Sequence, residues 1–144
     1  MTLRIPLHIV TTIGLSIMCL TQPAMATAEY HYKPNEYVTI VDGQSPNGQY
    51  AIASHGEGES GFTNFHVYLM DAQAGKKIGP LEEIKIVLDT AATAYYAKWS
   101  ADSKQVSITY REERHVAVMV RYRIEGGRAF RMSGPVKVNG LPPH

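Results

Sequence analysis

The chain holds a single cysteine, Cys19, and that residue falls in a leader expected to be removed. A disulfide scaffold is therefore excluded, and the fold must rest on its core and its backbone ladders. Net charge is only +1, so nothing in the overall balance points to nucleic acid. Long apolar runs are lacking too. The longest, Ile5 to Leu20, is interrupted by Pro6, His8, Thr11, Thr12 and Ser16 and falls short of the roughly 20 residues of a membrane span. With Arg4 before it and Ala24-Met25-Ala26 and Ala26-Thr27-Ala28 after it, the run predicts a cleaved export signal. Both small-x-small triplets fit a cleavage site. The second sets the division at residues 1–28 for the signal and 29–144 for one domain, periplasmic or secreted, with no membrane span after cleavage.

What the remainder does have is two-residue alternation. Tyr95, Ala97 and Trp99 precede the turn Ser100-Ala101-Asp102-Ser103-Lys104, and Val106, Ile108 and Tyr110 follow it. Val116, Val118, Val120, Tyr122 and Ile124 continue the pattern, so three antiparallel strands are predicted in succession. Upstream, strands are predicted at Tyr37–Val41, Gln49–His55 and Phe65–Met70, with a brief pairing at Lys76–Gly79 and another strand over Ile84–Leu88. Arg128–Ser133 reads as a last hairpin strand. The lead-in from Glu29 to Glu36 and the tail beyond Pro135 read as mobile. Trp99, Tyr110, Val118, Val120, Ile108, Ile52, Val67 and Leu69 are the expected core.

The halves repeat at a shift of about 55 residues: Ser45-Pro46-Asn47-Gly48-Gln49-Tyr50 matches Ser100-Ala101-Asp102-Ser103-Lys104-Gln105. Trp99-Ser100-Ala101-Asp102-Ser103-Lys104 resembles the Trp-Ser-Pro-Asp-Gly-Lys turn of TolB-type (WD40-like) β-propeller blades, and Ser45 to Tyr50 is a second copy. Ala101 and Ser103 replace the pattern's proline and glycine, and Gln44 stands in place of the first tryptophan. The resemblance implies an all-β fold of about eight antiparallel strands in two four-stranded, blade-like meanders. Propellers use four or more blades, so two would close as a sandwich or through a homo-oligomer. The motif marks blade structure and implies no activity.

For chemistry, His55, Glu57 and Glu59 with His66 across the hairpin combine imidazole and carboxylate as a metal site does. They define the alternative reading, a small metal-binding protein or hydrolase built on the Gly56–Gly61 loop. Ser60 lacks the spacing of a nucleophile elbow. Neither Glu82-Glu83 nor Glu112-Glu113 can act as a glycosidase pair, since neighbours on a strand point to opposite faces. The leading reading is non-enzymatic, with no cofactor. Residues 29–89 carry nine acids and four lysines, and residues 90–144 carry four acids against nine lysines and arginines. With Val118, Val120 and Tyr122 facing inward, alternation turns Arg121 and Arg123 outward and, on neighbouring strands, Arg111 and Arg131 as well. The expectation is an arginine face that docks an anionic partner, an envelope protein or an anionic envelope polymer, through bidentate pairing.

Overall fold

The computed structural model describes residues 26–142. The expected export signal therefore lies outside the described residues, apart from Ala26, Thr27 and Ala28. The domain is all-β, with one short 3₁₀ turn at Ala92–Ala94. Eight strands follow in chain order: β1 Val38–Gln44, β2 Tyr50–Glu57, β3 Thr63–Asp71, β4 Lys76–Pro80, β5 Tyr96–Trp99, β6 Gln105–Glu113, β7 Val116–Glu125 and β8 Arg128–Val138. They form one curled mixed sheet in the order β4-β3-β2-β1-β5-β6-β7-β8. Each half is an antiparallel meander. The halves meet where β1 and β5 run parallel, with Val41 opposite Tyr96.

The curl turns one face of each meander toward the other, and the alternating residues fill the space between them. Ile52, Val67 and Leu69 from the first half meet Val106, Ile108, Tyr110, Val118, Val120 and Tyr122 from the second, all buried. Trp99 is only half-buried at the margin of this core, because its ring lies across the junction and its indole N–H donates to the Gly43 carbonyl at 3.0 Å. The fully buried aromatic of β5's approach is Tyr95 instead.

The two Ser-led turns are built from the same bonds. Ser45 Oγ donates to Asn47 Oδ1 (2.7 Å) and accepts from the Tyr50 N–H (3.0 Å); Ser100 Oγ donates to Asp102 Oδ1 (2.6 Å) and accepts from the Gln105 N–H (3.0 Å). Gly48 and Ser103 occupy the same left-handed position, at φ 72° and 61°. The turns also touch, the Asn47 N–H donating to Ser103 Oγ at 3.0 Å.

The last strand does not stop at Ser133, since β8 continues through Pro135 to Val138 and pairs there with Ala117, Val118 and Met119; three other expectations need correction. Ile84–Leu88 is not a strand: the connection from edge strand β4 to β5 must cross the sheet, about 19 Å at four strand spacings. Residues 81–91 therefore span the mouth between the meanders, burying Leu81 and Ile84 and leaving Ile86 exposed. The lead-in is not free either, since Tyr32 is buried against Ser54 and Thr90. And β1 runs through Asp42-Gly43 as a bulge, with Asp42 at φ 55° and Gly43 packed too tightly on the Ile52 and Ile40 carbonyls for a side chain.

Candidate functional site

The four arginines do not share a face. Arg111 has outward parity, opposite Ala117, but its guanidinium folds back onto Asp89, which is 1% exposed. Nε donates to Oδ2 at 3.0 Å and Nη2 to Oδ1 at 2.8 Å, the bidentate geometry that arginine favours. Arg131 stands opposite Tyr122, on the concave side, because the two-residue turn at Gly126-Gly127 pairs Glu125 with Arg128 and carries that register unbroken to Tyr122 and Arg131. Its Nη1 donates to the Gly134 carbonyl at 2.9 Å. Residues directly opposite on an antiparallel pair share a face, so Arg131 faces inward with Tyr122, and the expected outward parity fails at the hairpin register.

Arg121 and Arg123 do project outward from β7. Arg123 pairs with the exposed Glu125 at 2.9 Å and lies over the Phe130 ring, 5.5 Å from its centroid. Arg121 is exposed and makes no hydrogen bond or ion pair among the described residues. Directly across the sheet from it lies Ser107, and across from Ser107 lies Lys98, which is also exposed and also lacks a partner among the described residues. Lys98, Ser107 and Arg121 thus form one cross-strand row, with the outer Cα atoms about 10 Å apart at two strand spacings. Long side chains on both flanks can converge above the hydroxyl. The row crosses a groove of about 410 Å³ whose walls include Trp99, Thr109 and Met119. Lys98 was legible in principle, since it alternates with Ala97 and Trp99, but its place beside Arg121 depends on the pairing register.

The loop site assembles differently from the expected one. His55 and His66 do sit opposite each other on β2 and β3. His55 Nδ1, however, lies 2.6 Å from the Glu36 carbonyl, which can only accept, so that nitrogen carries the proton. Tyr32 and Tyr37 flank its ring. His66 Nδ1 meets the Asn64 carbonyl, Glu57 accepts from Asn64 Nδ2 at 3.4 Å, and Glu59 approaches His31 only through its backbone carbonyl. Among the described residues no group of three or more His, Cys, Asp or Glu is placed to hold a metal ion. The Ser60 carbonyl accepts from the Thr90 hydroxyl, which ties the loop to the mouth segment.

Beneath that loop lies a buried polar network. The Tyr32 hydroxyl meets Ser54 Oγ at 2.7 Å and donates to the Thr90 carbonyl, while the Tyr95 hydroxyl donates to the Asp89 carbonyl at 2.6 Å. Burial pushes the Tyr32 hydroxyl up to about 12 and raises Tyr95 further, with the Asp89 charge adding to the effect. These hydroxyls stay neutral and serve as structural donors.

No family model, curated protein or solved structure matches the chain. Among the described residues no helix is long and apolar enough to cross a membrane.

Proposed function

We propose that the protein is an exported, non-enzymatic interaction module of the bacterial envelope, with blades like those of TolB-type propellers, that docks an anionic envelope polymer on the outer face of β5–β7. The observation that carries this reading is the Lys98–Ser107–Arg121 row: two unpaired cations and a hydroxyl on one exposed face. Such a row matches a single phosphate, sulfate or carboxylate group, with the arginine pairing bidentately and the lysine as a point charge. Arg123 lies two residues further along β7, about 7 Å away, where it pairs with Glu125, and the row itself lies in an open groove. An extended chain of repeated anions fits that shape better than a compact metabolite does.

The test is retention of the purified protein on immobilised polyphosphate and dextran sulfate, with neutral dextran as control. Binding is expected at low salt and is expected to weaken as the Debye length shrinks. Lys98→Glu with Arg121→Glu should reduce affinity at least tenfold, while Arg131→Gln, on the concave side, should not. Binding indifferent to salt and to the double change would overturn the reading. Retention only by an acidic protein would place the partner in the other class.

A further inference from the structure

The last residues of the expected leader are part of the fold. The Ala28 N–H donates to Asp89 Oδ1 at 2.8 Å, and the Ala28 carbonyl accepts from both the Thr90 N–H (2.8 Å) and the Ala91 N–H (3.0 Å). Its methyl group packs against the main core. Asp89 and Thr90 are almost fully buried, so water cannot replace what Ala28 supplies. Ala26, by contrast, is exposed and contributes only its carbonyl, to Arg111 Nη2 at 3.1 Å. Arg111 keeps both Asp89 oxygens without it.

Resting on the export reading above, we propose that the signal is removed between Ala26 and Thr27, and not between Ala28 and Glu29. Both positions satisfy the small-x-small rule, so the leader's own pattern does not choose between them. The fold does. Cleavage after Ala28 deletes the three hydrogen bonds that its backbone makes at the mouth, leaving the Thr90 and Ala91 N–H groups without their acceptor and Asp89 Oδ1 with one donor in place of two. Cleavage after Ala26 keeps all three. It also places the new α-ammonium one residue from the N–H that already meets Asp89, where a positive charge is favourable.

The experiment is intact-mass measurement of the product recovered from the envelope fraction when the full chain, with its own leader, is expressed in a Gram-negative host. The expected mass is that of a chain beginning at Thr27. Ala24 is the upstream small residue of the first triplet and lies outside either mature chain, so Ala24→Leu should block or displace this cleavage without touching the fold. A product beginning at Glu29, with processing indifferent to Ala24→Leu, would overturn the position while leaving export standing. An uncut chain retained in the cytoplasm would overturn both.

Discussion

Tyr95 and Tyr110 stack with their ring centroids 5.7 Å apart, and only one of the two hydroxyls is partnered. Tyr95 donates to the Asp89 carbonyl, whereas the Tyr110 oxygen is buried with no hydrogen-bond partner among the described residues. A hydroxyl buried without a bond costs about 1–3 kcal/mol. Tyr110→Phe should therefore leave stability unchanged or raise it by about 1–2 kcal/mol, because it removes the unpaired group and keeps the ring. Tyr95→Phe should lower stability by about 1–2 kcal/mol, since the Asp89 carbonyl then loses its donor. Urea titration of both variants against the parent checks the pair, and a larger loss for Tyr110→Phe than for Tyr95→Phe would mean that the Tyr110 hydroxyl has a partner.

At the scale of the element, the two Ser-led turns do the same work in different surroundings. Each serine accepts from the strand that follows and donates to the Asn or Asp two residues on. Ser45 is 3% exposed and Ser100 is half-buried. Ser45→Ala should therefore cost about 2 kcal/mol and Ser100→Ala nearer 1 kcal/mol, because water reaches the second turn and compensates part of the loss. Thermal unfolding of the two variants tests the order. These turns were legible because turn chemistry is local: a serine, an Asn or Asp and a residue that accepts positive φ sit within four positions. The core was legible for the same reason, as Ile52, Leu69, Ile108 and Val120 each recur at a spacing of two. Ile84, Ile86 and Leu88 have that spacing as well, yet they form no strand, because the segment crosses the mouth of the curled sheet and does not run beside a neighbouring strand. The face of Arg131 was written in the two-residue Gly126-Gly127 turn, which pairs Tyr122 with Arg131 and which parity counted strand by strand overlooks, whereas the recruitment of Arg111 depended on a partner 22 residues away. The outer row lay one step beyond alternation: Lys98 and Arg121 each point outward by parity, but only the registers of β5, β6 and β7 align them on Ser107.

For the molecule as a whole, the absence of disulfides leaves stability to a core in which tyrosines are prominent, and this gives it a definite pH response. Burial raises Tyr32 from 10.0 to about 12. Tyr95, Tyr110 and Tyr122 are raised further, in each case chiefly by burial, with Glu83 adding to the effect at Tyr122 and Glu112 at Tyr110. In the unfolded chain these hydroxyls ionise near their ordinary value of about 10. Above that pH the unfolded state releases protons that the folded state still holds, so stability falls as pH rises. The contribution of the buried tyrosines is fully present below about pH 10 and is lost progressively as pH climbs through 12 and beyond. The urea midpoint should thus be flat between about pH 8 and pH 9.5 and then drop steeply. Tyrosinate absorbance from the four buried rings should appear together with unfolding and not before it. A midpoint that stayed level to pH 11 would mean that these rings reach solvent in the folded state, against the closed mouth formed by residues 81–91 and the N-terminal arm.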